Sequence, residues 1–532
     1  MRRFFNDSGP CEPRKHYMLP VERRLHGIRE LIDRELYFAV HAPRQTGKTT
    51  SYRALARELT AEGRYAAVHA TCETAQAAGG DVARGVQAVL GAIEIETSRL
   101  PEPLRAEPLS ALAEVEPENR LRVYLSRWAE RAALPVGLFL DEIDAVLDQT
   151  LISVLRQLRA GYPDRPERFP HACALIGLRD VRDYRASLRP ERDSMGSASP
   201  FNIKSDSLTL RYFTADEVAE LYRQHTADTG QEFTDDAVAV AYDLTRGQPW
   251  LVNALARHLV DSLVTDRTQT ITAADVDVAR EVLIRRRDTH LDSLLDRLIE
   301  PPMRRVIAPI LAGEPLGDEI FNDDVRLAKD LGLVASGPAG LEIANPIYKE
   351  IIPRALTALS EESLPIRRAP YIAGDGRLRY DALLGGAQEF WLEHAEWMLR
   401  CQPYSEAAAQ LAFMAFLHRV VNGTRDELGK GPIPTIDREY AVGRGRIDLL
   451  IRWPLPSGEV ERFALELKVW RDRAGDPLPS GLKQLSAYLA RLGLDTGTLV
   501  LFDQRSDAPP LPERCSRAEV EHGGRTITVL RL

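Results

Sequence analysis

The stretch that decides the fold of the first half of the chain is Tyr37-Phe38-Ala39-Val40-His41-Ala42-Pro43-Arg44-Gln45-Thr46-Gly47-Lys48-Thr49-Thr50. Its first residues are apolar and aromatic, as in a short buried strand. A loop with Pro43 and Gly47 follows, then a segment carrying Leu55, Ala56 and Leu59 at helical spacing. Strand, loop and helix N-terminus in that order cradle an anion, because backbone N–H groups and the helix dipole meet at one place. Gly47-Lys48-Thr49 is the triplet that carries the chemistry of such a loop: Lys48 would reach the β- and γ-phosphates of ATP, and Thr49 would bind Mg²⁺. Arg44, Gln45, Thr46 and Thr50 flank the cradle as further nucleotide contacts. Ala42 stands where such loops usually begin with Gly, which only restricts that position to negative φ.

Working outward, residues 37–210 alternate strand and helix patterns, which predicts a mostly parallel sheet. Strands are expected at Tyr37–His41, Tyr65–Ala70, Val136–Asp141, Ala172–Leu178 and Ser207–Leu210. The third runs into Asp141-Glu142: Asp141 would hold Mg²⁺ through water, and Glu142 would take a proton from the attacking water. Acids also favour helix N-termini, but the Gly-Lys-Thr upstream gives this pair a reason beyond that. Residues 213–290 turn helical, with Thr214 and Glu217 as a capping box and Gly247-Gln248-Pro249 as a break. Residues 291–360 read as a winged helix whose wing turns at Gly337-Pro338-Ala339-Gly340. Its presumed recognition helix opens Asn322-Asp323-Asp324, which repels phosphates. Arg285-Arg286-Arg287 reads as a solvated helix face. Residues 361–385, rich in Pro, Gly and Arg, read as a linker.

A second phosphate-chemistry pattern lies in residues 386–532. Gly443-Arg444-Gly445-Arg446-Ile447-Asp448-Leu449-Leu450-Ile451 and Phe463-Ala464-Leu465-Glu466-Leu467-Lys468-Val469 both read as strands. Side chains alternate along a strand, so Glu466 and Lys468 share a face. If the strands pair as a hairpin, Asp448 joins them. Two carboxylates suit Mg²⁺, and a neighbouring Lys orients or polarises water. Gln484 and Tyr488 lie one helical turn apart and face the same way.

At 532 residues the chain has room for three or more domains. Its net charge of −9 excludes a global basic field, so nucleic-acid contact must rest on local patches. Five scattered cysteines (Cys11, Cys72, Cys173, Cys401, Cys515) form no Cys-x-x-Cys pair. That pattern suggests neither a zinc site nor a disulfide framework and fits a reducing cytoplasm. No signal peptide or membrane span is expected: the longest apolar stretch, Leu411 to Val421, is short and broken by His418 and Arg419.

Two family resemblances rest on these residues. Residues 1 to about 360 resemble a bacterial AAA-like ATPase family near the STAND NTPases. Gly9-Pro10, His16-Tyr17-Met18-Leu19-Pro20, the Ala42–Thr50 loop, Gly177-Leu178-Arg179-Asp180, Gly247-Gln248-Pro249 and Asn345-Pro346-Ile347-Tyr348 carry it. The resemblance implies that Tyr17 to Pro20 line the adenine, that Arg179 senses the γ-phosphate, and that Pro249 belongs to the lid motif. Residues 386–532 resemble the PD-(D/E)XK nuclease superfamily: Asp448 and Glu466-x-Lys468 match its motif, Gln484 and Tyr488 match its Gln-x-x-x-Tyr feature, and Glu406 matches a further metal-binding acid.

The expected fold class is therefore α/β and multidomain. Residues 1–212 form a P-loop parallel sheet, 213–290 a helical lid and 291–360 a winged helix. A linker at 361–385 leads to a PD-(D/E)XK-like domain at 386–532. The expected function is an ATP-switched, Mg²⁺-dependent nuclease, with catalytic roles for Glu142, Asp448, Glu466, Lys468, Gln484 and Tyr488. Thr49, Asp141, Glu406, Asp448 and Glu466 are the expected metal contacts. Nucleic acid, DNA before RNA, is the expected partner of the C-terminal domain. Such a switch also admits a homo-oligomer or a trigger protein. The alternatives are a nucleotide-dependent signalling or scaffold protein with a non-cutting domain, or a regulator acting through the winged helix.

Overall fold

The computed structural model describes the chain apart from residues 1, 179–203, 287–296, 299, 312–315, 317–321, 338–339, 364–370, 402–407, 424–433, 443–444 and 473–474. The chain divides into two compact units, Met1–Arg286 with Arg326–Val334, and Arg287–Val325 with Ala335–Leu532.

The first unit opens with short helices α1 (Val21–Arg24) and α2 (Ile28–Asp33), then β1 (Tyr37–His41), α3 (Lys48–Ala61) and β2 (Ala66–Thr71). Helices α4 (Val82–Thr97) and α5 (Pro117–Arg131) precede β3 (Val136–Asp141), α6 (Asp148–Gly161), β4 (Ala172–Gly177) and β5 (Lys204–Thr209). The five strands lie in the order β2-β3-β4-β1-β5, all parallel, with the phosphate loop leaving β1. Both faces are covered, which is why the inner strands β1, β3 and β4 read as near-continuous apolar runs. Tyr37, Ala39, Val68 and Leu138 pack with Val86, Leu121, Trp128 and Leu151 on one side. Phe38, Val40 and Phe139 pack with Ile28, Tyr52 and Leu55 on the other. This is an α/β fold with the parallel sheet of P-loop ATPases.

Helices α7 (Ala215–Thr229), α8 (Asp235–Thr245), α9 (Pro249–His258) and α10 (Ala273–Arg286) follow. The capping box at the start of α7 forms: Thr214 Oγ1 accepts from Glu217 N and Glu217 Oε2 accepts from Thr214 N. Beyond them come α11 (Pro301–Leu311), α12 (Asp323–Asp330), the two-stranded sheet of β6 (Val334–Gly337) and β7 (Gly340–Ile343), and α13 (Pro346–Ser363).

In the second unit, α14 (Tyr380–Cys401) and α15 (Ala408–Gly423) precede β8 (Thr435–Val442), β9 (Gly445–Pro454) and β10 (Val460–Trp470). Helix α16 (Leu478–Leu492), β11 (Thr496–Asp503), β12 (Ser516–His522) and β13 (Arg525–Arg531) complete it. The sheet order is β12-β13-β11-β10-β9-β8. Strands β8, β9 and β10 pair antiparallel, β10, β11 and β13 parallel, and β12 antiparallel to β13. Leu449, Ile451, Leu465 and Leu467 face α14 and α15. Leu450, Ala464 and Leu499 face α16. The stretch 361–385, read as a linker, contributes Tyr371, Leu378, Leu383 and Leu384 to the core on the α14 side.

Among the described residues no helix is long and apolar enough to cross a membrane.

Candidate functional site

The loop between β1 and α3 is held by its own polar atoms. Gln45 and Gly47 both take left-handed conformations, with φ of 58° and 86°. Thr46 Oγ1 donates to Pro43 O at 3.0 Å, and Lys48 Nζ donates to Ala42 O at 2.7 Å and Pro43 O at 2.9 Å. Burial pulls the Lys48 ammonium below its ordinary value, with Asp141, Glu142 and Asp144 opposing. Thr49 begins the facing cluster: its Oγ1 donates to Asp141 Oδ2 at 2.6 Å. Thr50 Oγ1 accepts from Cys11 N at 3.0 Å. Arg44 and Gln45 are exposed.

Parallel pairing of β2 and β3 brings His69 beside the acid at the end of β3. His69 Nε2 lies 3.0 Å from Asp141 Oδ2, and Glu142 N donates to Asp141 Oδ1 at 2.9 Å. Burial would raise the Asp141 carboxyl, but the bonds from His69 and Thr49 outweigh it and hold it low. Glu142 has the opposite balance: burial, then the charges of Asp144 and Asp141, push it up. A carboxylate shifted toward neutrality is a better proton acceptor. Its backbone is left-handed at φ 54°, a strain that clusters at functional sites. Asp144 Oδ1 accepts from Leu178 N at 3.1 Å, tying the end of β4 to this turn. Arg179, the next residue, lies outside the described residues.

The Gly247-Gln248-Pro249 turn is pinned to the start of the helical region. Phe213 N donates to Gly247 O at 2.8 Å, and a Cβ on Gly247 would meet Phe213 O at 1.9 Å. Gln248 Oε1 caps α9 through Leu251 N at 2.6 Å, and Pro249, buried, is its first residue. Tyr17 is enclosed, its ring 4.7 Å from that of Phe5 and its hydroxyl 3.3 Å from His225 Nδ1. Gln231 Nε2 donates to Val264 O, so its Oε1 accepts from His225 Nε2. Tyr17 therefore donates to His225. Met18 N donates to Gln224 Oε1 and Met18 O accepts from Gln224 Nε2. Pro20 is exposed at the start of α1.

In the second unit the β9–β10 ladder runs as far as Leu449 opposite Leu465. Beyond it, Leu467 N donates to the Asp448 carboxylate at 2.7 Å. Glu466 lies on the α16 face of the sheet and is completely buried. Lys468 Nζ donates to Glu466 Oε1 at 2.8 Å and to Gln484 Oε1 at 3.0 Å, and Gln484 Nε2 donates to Tyr488 Oη at 3.2 Å. Among the described residues Glu466 Oε2 has no partner. Burial, then the Asp448 charge, pushes the Glu466 carboxyl up to about 7 against the pull of Lys468. A buried, unpartnered carboxylate oxygen beside a second carboxylate fits a divalent cation with oxygen preference. Glu406 lies outside the described residues. Among the described residues no group of three or more His, Cys, Asp or Glu is placed to hold a metal ion.

His69, Gln224 and Arg24, whose Nη2 donates to Thr46 O at 3.2 Å, are the contacts that sequence reading missed. A polar residue inside the apolar run Ala66-Ala67-Val68-His69-Ala70 was the available signal for His69. Arg24 and Gln224 sit among other charged and polar residues and gave none.

No protein-family model matches the chain, and no curated protein matches it. Solved structures similar to it include the Walker-type ATPase of Pyrococcus abyssi, at 13% identity and a TM-score of 0.47, covering 65% of this chain and 99% of that one. The RuvB Holliday junction branch migration motor of Thermotoga maritima matches at 18% identity and 0.33, covering 62% of this chain and 93% of that one. Cdc6p from Pyrobaculum aerophilum matches at 15% and 0.34, covering 64% and 94%. The P-loop ATPase fold itself rests on the strand order and on the loop after β1.

Proposed function

We propose that this chain binds and hydrolyses ATP with Mg²⁺ and thereby controls a Mg²⁺-dependent phosphodiesterase in residues 386–532. In the ATPase part, Lys48 would exchange the Ala42 and Pro43 carbonyls for the β- and γ-phosphates. Thr49 and Asp141 would hold the cation, and Glu142 would accept the proton of the attacking water. Arg179 and the Gly247-Gln248-Pro249 turn would report the γ-phosphate to the lid at 213–290, an order–disorder switch. The winged helix at 291–360 and the PD-(D/E)XK assignment belong to the same proposal, with nucleic acid, DNA before RNA, as substrate.

One observation carries the nuclease reading: Glu466 is completely buried, has an oxygen with no partner among the described residues, and lies beside Asp448 and Lys468. A buried carboxylate in that state is costly unless a cation or a reaction uses it. Asp448, Glu466 and Glu406 would hold Mg²⁺, which supplies Lewis-acid polarisation of the phosphate. Lys468, steadied by Gln484 and Tyr488, would orient the attacking water. A second reading is a domain that binds nucleic acid without cutting. A crystal soaked in Mn²⁺ tests the site. An ion at oxygen-ligand distance from both Asp448 and Glu466 supports the nuclease reading. An ion-free pair at saturating Mn²⁺ turns the assignment to the non-cutting domain.

A further inference from the structure

Arg24, at the end of α1, is a buried guanidinium beside the phosphate loop, with only 7% of its surface exposed. One of its nitrogens, Nη2, donates to Thr46 O at 3.2 Å and to Arg211 O at 2.9 Å. Its Cζ lies 4.6 Å from the centre of the Phe213 ring. Its other terminal nitrogen, Nη1, is sealed from solvent and has no partner among the described residues. Glu217, the carboxylate whose charge reaches it, is itself paired to Arg211. A buried cation kept at this cost, without a carboxylate of its own among the described residues, calls for a role beyond packing.

The role follows from the geometry of one peptide. The Thr46–Gly47 bond is trans, so its carbonyl and its N–H point in opposite directions. Arg24 holds the carbonyl; the Gly47 N–H therefore points away from Arg24. Backbone N–H groups of such a loop are what a phosphate binds. The same guanidinium grips Arg211 O and covers Phe213, and Phe213 is the residue bonded to Gly247.

We infer that Arg24 is a positioning residue for the nucleotide phosphates: it turns the Thr46–Gly47 peptide so that its N–H serves the anion, and it fastens that peptide to the start of the lid. The inference rests on the ATP-binding reading and goes beyond it, because it assigns a phosphate-binding role to a residue outside the loop. It predicts that Arg24 acts on phosphate affinity through the backbone.

The test is calorimetric titration of the full chain with ATP and with inorganic pyrophosphate alone, for the wild type, Arg24→Lys, Arg24→Ala and Lys48→Ala. Loss of a charge-assisted bond at the loop should weaken both ligands by about 30-fold in Arg24→Ala. Arg24→Lys should fall between, since an ammonium lacks the planar fork. Guanidinium ion at millimolar concentration, by refilling the space, should restore part of the affinity to Arg24→Ala. Wild-type affinity in both Arg24 variants, with Lys48→Ala impaired, overturns this inference and leaves the ATP reading standing. Weakened binding that accompanies a lowered melting temperature and is not restored by guanidinium also overturns it, marking Arg24 as structural only. A wild-type chain that binds neither ligand overturns both.

Discussion

Glu466→Gln separates a buried titrating carboxylate from an ordinary buried polar group. The Glu466 carboxyl moves from its ordinary 4.5 to about 7 in the folded protein. That difference corresponds to about 3 kcal/mol of preference for the protonated form. The folded value lies above the unfolded one, so the folded state binds the proton more tightly. The stabilisation is complete below the unfolded value and is lost as pH rises through about 7. Between pH 5.5 and 8 the wild type should lose about 2 kcal/mol from this group alone, about 4–8 °C of melting temperature for a unit of this size. Glutamine does not titrate, so Glu466→Gln should lack that component. The assay is thermal unfolding of both proteins in chelator at pH 5.5 and at pH 8, with the difference between the two proteins read at each pH. The variant should gain on the wild type as pH rises. Mg²⁺ should raise the wild-type melting temperature more at pH 8 than at pH 5.5, because the cation competes with the proton. If the wild type and Glu466→Gln keep a constant difference across that range, Glu466 does not titrate in the folded chain near pH 7, and the reasoning from burial and the Asp448 charge is wrong.

Glu142→Gln should bind ATP about as tightly as the wild type but turn over at least about 10²-fold more slowly, because an amide takes no proton; single-turnover hydrolysis checks this. Gly247→Ala places a Cβ against the Phe213 carbonyl at a left-handed position and should cost at least about 2 kcal/mol in a denaturant titration. Lys468→Ala should abolish cleavage while the chain still binds Mn²⁺ by paramagnetic relaxation, since Lys468 is not a ligand; lost Mn²⁺ binding would mean that the lysine only maintains the structure of the pocket.

Local pattern made much of this arrangement legible. The unbroken apolar runs around Val40 and Leu138 and the Gly47-Lys48-Thr49 triplet marked a parallel sheet with a phosphate loop. Alternation along Leu465-Glu466-Leu467-Lys468 placed Glu466 and Lys468 on one face, and the hairpin pairing brings Asp448 to them. Contacts that depend on strand order were not legible. His69 reaches Asp141 only because β2 lies beside β3, and neither strand specifies its neighbour. Arg24 reaches Thr46 through a fold-back of the segment before β1, which leaves no periodicity. Tyr371 and Leu378 sit among Gly, Pro and Arg, so their composition suggested a linker although both side chains are buried.

Cleavage of nucleic acid in Mg²⁺ tests the central claim most directly. The full chain is incubated with single- and double-stranded DNA and RNA, with and without ATP, beside Asp448→Ala and Glu142→Gln. The account predicts that the wild type cuts at least one of these substrates, that ATP changes the rate, that Asp448→Ala does not cut, and that Glu142→Gln alters the dependence on ATP. Cleavage that persists undiminished in Asp448→Ala, or no cleavage by the wild type under any of these conditions, would contradict it.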